Sequence, residues 1–488
     1  MAEQTNKQPQ RPRVVIVGGG FGGLQVAKKL KNAEVDLTLV NKTNYHLFQP
    51  LLYQVAMSAL PAGDIAYPLR AIFSRQKNIR IVMDEAARVD RANRRLYLRR
   101  QSEPLHYDYL VLAVGNQPTY YGNDQWKDRA PGLKTLPDAI NIRERVLLAF
   151  EEAARIQDPN ARNPYFNFVV VGGGPTGVEV AGAIAEIGAK TMTHDYPMLD
   201  KSEIQVYLLE GGDRILNTYS PKLSDRARRD LEKMGVIVKL NTMVSAIKDR
   251  EVLAGENLRI PTVNVIWAAG NAASPLLKTL ETEQLKDGRV KVAPDLSVPG
   301  DENVFVIGDA AYLKDANGLE VPGIAPAANQ MGSYVAKQIE AGAPAEWRAP
   351  FEYFDKGQMA TIGRAKAILE SGKLKLTGLM AWLAWSVVHI FFLIGFRNRF
   401  SVVFQWFWYY ITFQPGSRII FWRDPMKARS DTSGPSTTET SEDFYLESRP
   451  VEPHHQETPS TPDETETGEA TGSISDKETP TTPRKEHA

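Results

Sequence analysis

The chain has 488 residues, 58 basic and 58 acidic side chains, and no cysteine. That length supports two or three domains around large cores. The missing cysteines exclude disulfides, thiolate nucleophiles, Cys-ligated iron–sulfur clusters and Cys-x-x-Cys redox pairs.

Residues 1–12 are polar and hold no apolar signal core, which argues against secretion. The stretch "RVVIVGGGFGGLQVAKKLKNAEVDLTLV" then predicts strand, glycine-rich turn, helix, strand. Gly18, Gly20 and Gly23 fit G-x-G-x-x-G between the strand and the helix. The first glycine permits a tight turn, the second lets backbone approach a pyrophosphate, and the third allows close helix packing. The helix N-terminus adds N–H groups and a positive dipole end. "FNFVVVGGGPTGVEVAGAIAEIGA" repeats the pattern with Gly172, Gly174 and Gly177, before a second strand "IQVYLLE". Such a duplication points to an α/β fold of two Rossmann-like domains, one inserted in the other. Two sites imply two dinucleotides, most economically FAD and NAD(P)H.

The ribose-reading position ends the second strand of each unit. In the second unit it is Glu210, a carboxylate that accepts from ribose hydroxyls and repels a 2′-phosphate, which favours NADH. Arg214 keeps NADPH open, and "GAKTMTHDYPMLDKSE" reads as an insertion before this strand. In the first unit the position is Asn41, neutral where an acid is usual; this N-terminal unit is assigned to FAD. Asp309, just past "VFVIG", either caps the next helix or holds the ribityl chain. "GIAPAANQMGSYVAKQI" predicts a helix from near Pro326, whose dipole would favour the negative charge of a reduced flavin.

Between 379 and 396 the clearly polar residues are Ser386 and His389, which share a helical face with Trp382. Beyond "RNR", Ser401, Gln405 and Thr412 share another. A helix over 400–413 would be about 21 Å long, too short for about 30 Å of hydrocarbon. Trp406, Trp408, Tyr409, Tyr410 and Trp422 favour the headgroup boundary. Two helices lying in a membrane interface are expected, with one span or a buried dimer face as alternatives. If ten large side chains each gained half of full burial, the sum is near about 10 kcal/mol. The end of the chain is acidic: residues 427–488 hold 14 acidic and 6 basic residues, leaving 52 basic and 44 acidic before them. That body is either an ordinary mildly basic one or one drawn to anionic lipid. The Pro/Thr/Ser/Glu-rich tail from 425 is expected to be disordered.

From "NYHLFQPLLYQVA" onward the chain resembles the type II NADH dehydrogenases, single-subunit, non-proton-pumping NADH:quinone oxidoreductases of the two-dinucleotide-binding flavoproteins. The resemblance continues through "LVLAVGNQPTYYG", "APGLKTLPDAI", "VIWAAG", "APAANQ", "DKGQMATIGRA" and "LIGFRNR", and spans 13 to about 422. It implies a division into a flexible 1–12, an FAD domain over 13–135 and 291–365, an NADH domain over 136–290, a membrane-binding region over 366–424, and the tail. It assigns Gly18, Gly20, Phe21, Gly22, Gly23, Asn41, Ala113, Gly115, Asp309, Ala327 and Ala328 to FAD. It assigns Gly172, Gly174, Pro175, Thr176, Gly177, Glu179, Glu210, Ala269 and Gly270 to NADH.

Glu179 is either an acid pleasing the helix dipole or a carboxylate beside the nicotinamide. The family's quinone signature Ala-Gln-x-Ala-x-Gln stands here as Ala325-Pro326-Ala327-Ala328-Asn329-Gln330, so Gln330 keeps the second glutamine and Pro326 replaces the first. Gln49, with His46 and Tyr53, lies in a loop expected beside the flavin, as contacts or as packing. Lys373 and Lys375 are proton or phosphate contacts or a solvated pair. The resemblance implies a membrane quinone as acceptor, lipid contact through 378–422, a homodimer, and a peripheral place on the cytoplasmic face. No metal-ligand cluster stands among the seven histidines, and no nucleic-acid partner is expected. The rival readings are a flavin- and NADH-binding redox sensor and a reductase of a specialised quinone precursor; sulfide:quinone and disulfide reductases fail for want of thiols.

Overall fold

The computed structural model describes residues 11–197, 200–315, 318–412 and 416–420. Strand Arg13–Val17 lies parallel between Asp36–Asn41 and Tyr109–Leu112. Ile79–Met83 extends this sheet on one side and Asp301–Val306 on the other, with Ser297–Val298 as an antiparallel edge. Its central strands are near-continuous Val, Ile and Leu because helices and loops cover both faces. A second parallel sheet, in the order Val236–Lys239, Gln205–Leu209, Asn167–Val171 and Asn264–Trp267, comes wholly from between the fourth strand of the first sheet and its last two. One dinucleotide fold is thus inserted in the other.

Helix α1 (Phe21–Lys29) follows the first strand of the first sheet, and α2 (Pro175–Glu186) follows Asn167–Val171 of the second. Helix α3 (Ala325–Ala341) packs on α1 where two glycines meet: a Cβ on Gly332 would stand 2.6 Å from the Gly22 carbonyl oxygen. The chain crosses between the two sheets as an antiparallel pair, Asn116–Pro118 with Asn271–Ala273. Beyond that pair, Leu277, Leu280 and Val290 pack with Val17 and Leu112 of the first sheet. The packing beyond Ala273 is therefore with the first sheet, whose face these leucines cover.

The C-terminal region is an antiparallel meander, Gln358–Gly363, Lys366–Ser371 and Leu374–Thr377, followed by helices α4 (Gly378–Phe392) and α5 (Phe396–Thr412). α2 lies on its first strand through Gly182, where a Cβ would stand 1.8 Å from the Ile362 carbonyl oxygen. The break between α4 and α5 falls at Leu393–Gly395, not at "RNR". Gly395 adopts φ +90°, which L side chains avoid, and the ring of Tyr67 leaves no room for a Cβ there. Arg397, Asn398 and Arg399 are therefore helical, with Asn398 buried and donating to the Gly63 carbonyl at 3.3 Å.

Both helices are two-sided. Val402 and Trp406 of α5 face inward, while Phe400 (69% exposed), Phe404 (57%) and Phe407 (61%) face out, as do Met380, Val387 and Phe391 of α4. Ser401 and Gln405 donate to the buried carboxylate of Asp64, fastening α5 to the first domain. Among the described residues no helix is long and apolar enough to cross a membrane. Trp422 and the acidic tail lie outside the described residues.

Candidate active site

The two glycine turns superimpose in their logic. Gly18 has φ +105° and Gly172 φ +106°, and a Cβ on either would collide with a carbonyl from the neighbouring strand's end: Ala113 O at 2.2 Å, Ala268 O at 2.5 Å. Gly23 and Gly177 bring the helix onto the turn, where a Cβ would stand 1.9 and 1.8 Å from the carbonyl oxygens of Gly18 and Gly172. Gly20 and Gly174, by contrast, face open space. They are the N-caps of α1 and α2, and no side chain caps either helix, so the first N–H groups remain available to a pyrophosphate. Phe21, Gly22, Pro175 and Thr176 form those first turns.

The residues at the ends of the two second strands, Glu210 and Asn41, match as well. Gly173 N–H donates to Glu210 Oε2 at 2.6 Å and Gly212 N–H to Oε1 at 2.7 Å, which orients a carboxylate with acceptor capacity to spare. In the first unit Gly19 N–H donates to Asn41 Oδ1 at 2.7 Å, and the Asn41 amide donates to the Thr43 carbonyl at 2.8 Å. Asparagine fits here because the turn takes a donor from it, which a carboxylate cannot supply. His46 is buried, and its ring donates through Nδ1 to the Gly19 carbonyl at 2.8 Å; burial pushes the imidazole down to about 4, so it is neutral. It holds the turn and stacks edge-on to Phe21.

Gly115 has φ +65° and no neighbour where a Cβ would stand, and Asp309 lies in the short turn Gly308–Ala310 just past Asp301–Val306. Burial raises the Asp309 carboxyl, while the charge of Lys134 opposes that rise; burial in turn lowers the Lys134 ammonium. Ala327 and Ala328 are buried in the first turn of α3, whose N-cap Ile324 offers no side-chain acceptor. The shape, the uncapped helix ends and the acidic ribose position fit an FAD in the first unit and an NADH in the second. On the NADH side, Ala269 accepts from the Tyr121 hydroxyl at 2.8 Å, and the Tyr121 ring covers Gly270.

Two cavities meet at a common wall. The first, bounded by Gln49, Leu52, Leu133, Lys134 and Thr176, lies where the N-terminus of α2 faces the loop after the first unit. The second runs to Trp382, Trp406, Tyr409 and Tyr410 of α4 and α5. Tyr53 and Glu179 line both. The Tyr53 hydroxyl shares a hydrogen bond with Thr361 Oγ1 (2.9 Å) and accepts from Gln54 Nε2 (3.0 Å), and Gln54 Oε1 accepts from Trp406 Nε1 (2.7 Å). Thr361 N–H points at Glu179 Oε1 from 3.5 Å. Burial pushes the Glu179 carboxyl up to about 8, so it retains its proton at neutral pH.

A family model for the pyridine nucleotide-disulphide oxidoreductases matches residues 12–332. The type II NADH:quinone oxidoreductase NdhA of Mycobacterium tuberculosis is 45% identical over 412 residues, which cover 81% of this chain and 86% of that one. The type II NADH:quinone oxidoreductase Ndh of the same organism is 41% identical, over 83% and 89%. The chain belongs to the type II NADH:quinone oxidoreductases. The solved structure of NDH2 from Plasmodium falciparum in complex with NADH shares the fold, with a TM-score of 0.77 at 20% identity, covering 85% of this chain and 100% of that one. Disulphide chemistry, which the broader family's description includes, is closed to this oxidoreductase because it has no cysteine.

Not every residue singled out from sequence stands at the two cavities. Gln49 lines the first and donates to the Lys134 carbonyl at 3.1 Å. Gln330 lines neither: its amide pairs in both directions with the Phe354 backbone, Nε2 to O and N–H to Oε1, each at 2.9 Å. Lys375 pairs with Glu370 at 2.8 Å, and Lys373 is exposed beside it. Trp406, expected at a headgroup boundary, is buried with its indole N–H bonded to Gln54, and Tyr409 and Tyr410 line the second cavity. Sequence reasoning missed Lys134, Thr361, Asp64 and Glu186. Lys134 adjoins the one legible signal, the capping box of Thr135 and Asp138 that starts the next helix.

Proposed function

We propose that this oxidoreductase oxidises NADH at the first cavity and reduces a membrane quinone at the second, moving no protons across the membrane. The shared wall of Tyr53 and Glu179 carries this reading, since it gives each substrate its own chamber on either side of one reaction centre. FAD, when bound, supplies the chemistry that accepts hydride from the nicotinamide and yields two electrons to the quinone. Gly18, Gly20, Gly23 and Gly115 admit the flavin dinucleotide to backbone, with Asp309 and Lys134 beside it. Gly172, Gly174 and Gly177 do the same for NADH, and Glu210 selects an unphosphorylated ribose. The uncapped N-terminus of α3 favours negative charge on the flavin side of the site. Glu179, protonated at neutral pH, holds a proton on its carboxyl beside the quinone chamber. Gln49 contacts the substrate in the first cavity, and Gln330 acts by fixing the Phe354 backbone. In the same reading the outward faces of α4 and α5 dock in the cytoplasmic leaflet, the protein is a homodimer, and the region over 366–424 serves as the membrane module.

The test is anaerobic mixing of the purified flavoprotein with NADH, followed by a short-chain quinone. Bleaching of the flavin absorbance by NADH and its recovery with quinone, repeated catalytically, is the expected result. Bleaching without recovery sinks the quinone assignment and leaves a redox sensor.

A further inference from the structure

Reduction of a quinone by NADH consumes one proton from water per turnover, because the hydride brings two electrons and one proton while the quinol needs two of each. We propose that Glu186 is a second catalytic acid of the quinone chamber, delivering this solvent proton to the quinone oxygen farther from Glu179. The inference rests on the functional reading above.

Glu179, Gly182 and Glu186 share one face of α2, and each meets the strand Gln358–Gly363 or its end. Thr361 N–H faces Glu179, the Ile362 carbonyl lies against Gly182, and Arg364 N–H donates to Glu186 Oε1. Both carboxylates line the second cavity. Seven residues of helix put their Cα atoms about 10 Å apart along the wall of that cavity. Glu186 stands at the outer end. Ala189 and Lys190 just beyond it are exposed, and the helix there loosens into a π-helical segment, Ile187–Met192. The groups facing Glu186 are Arg364 and Lys366 from the meander and Tyr409 and Tyr410 from α5. Burial raises its carboxyl, and the hydrogen bond from Arg364 N–H and the charges of Lys366 and Arg364 oppose the rise. In the step the Glu186 O–H bond breaks and a quinol O–H forms, with both electrons coming from NADH; water then restores the acid.

Glu186→Gln keeps an acceptor for Arg364 N–H but has no acidic proton. In stopped-flow on the full-length flavoprotein, reduction by NADH should stay within about twofold of the parent while reoxidation by a short-chain quinone slows about 100-fold. Glu186→Asp should recover part of that rate, and the solvent isotope effect on reoxidation should grow in both variants. Reoxidation of Glu186→Gln at the parental rate overturns the proposal. So does an equal loss in both half-reactions, or Glu186→Asp no faster than Gln. A parent protein that quinone fails to reoxidise overturns the functional reading itself, a distinct result.

Discussion

Replacing Glu179 with Gln should stabilise the protein in a pH-dependent way while disabling it. The Glu179 carboxyl titrates at about 8 in the fold against 4.5 in an unfolded chain. Below pH 4.5 both states hold the proton and its burial costs no ionisation. Between 4.5 and 8 the unfolded chain has released a proton that the fold retains, so stability falls as pH rises, by about 1.4 kcal/mol per unit. Above 8 the penalty is constant. Glutamine has no such titration and can still accept from Thr361 N–H, so the variant's advantage grows across the same window. Between pH 5.5 and 7.5 the full effect would be about 2.7 kcal/mol; water entering the cavity reduces it to about 1–2 kcal/mol. The apparent Tm of Glu179→Gln should therefore rise by about 2–4 °C relative to the parent over that span, and quinone turnover should fall about 100-fold. Thermal scans in matched buffers at both pH values measure the first, and steady-state NADH oxidation the second. A Tm difference that stays flat with pH would refute a buried, protonated Glu179.

Gly23→Ala should yield protein without flavin, and Gly177→Ala protein that keeps flavin but is not bleached by NADH, since each Cβ would stand under 2 Å from a carbonyl oxygen; absorbance spectra separate the two. Glu210→Ser should raise the kcat/KM ratio of NADPH to NADH, because the oriented carboxylate that repels a 2′-phosphate is gone; an unchanged ratio removes Glu210 from the ribose site. Trp406→Phe strands Gln54 Oε1 in the interior at a cost of about 1–3 kcal/mol, which should appear as a lower Tm together with a raised KM for quinone. Serine at exposed Phe400, Phe404 and Phe407 should weaken partition into lipid vesicles about 100-fold, from half of full burial lost at each, with NADH-driven flavin bleaching intact.

The glycine turns were legible because their demand is local. A position that cannot carry a Cβ announces itself as glycine, and flanking β-branched and alanine-rich runs declare the strand and helix. The residues that end the second strands, Asn41 and Glu210, were legible as bonded to their glycine turns, a helix and a strand further on. The common wall was not. Tyr53 meets Thr361 across 308 residues, and Gln54 meets Trp406 across 352; no periodicity encodes such partners. Glu186 was within reach, since Glu179-x-x-Gly-x-x-x-Glu186 places two carboxylates and a gap on one helical face, but only the meander lying on that face gives the spacing meaning.

The aromatic run serves two surfaces. Helix α5 sorts its residues by turn: Asn398, Val402 and Trp406 go inward at intervals of four, and Phe400, Phe404 and Phe407 go outward. Tryptophan and tyrosine suit a headgroup layer because each has an apolar body and one polar tip, and the same property suits the wall of a cavity that ends at Gln54 and Tyr53. Composition alone cannot separate the two uses. What separates them is the anchoring of α5 by Ser401 and Gln405 on the buried Asp64, which sets the rotation of the helix about its axis. On the proposed reading this single rotation serves both ends of the reaction, since the helix that faces lipid on one side closes the quinone chamber on the other.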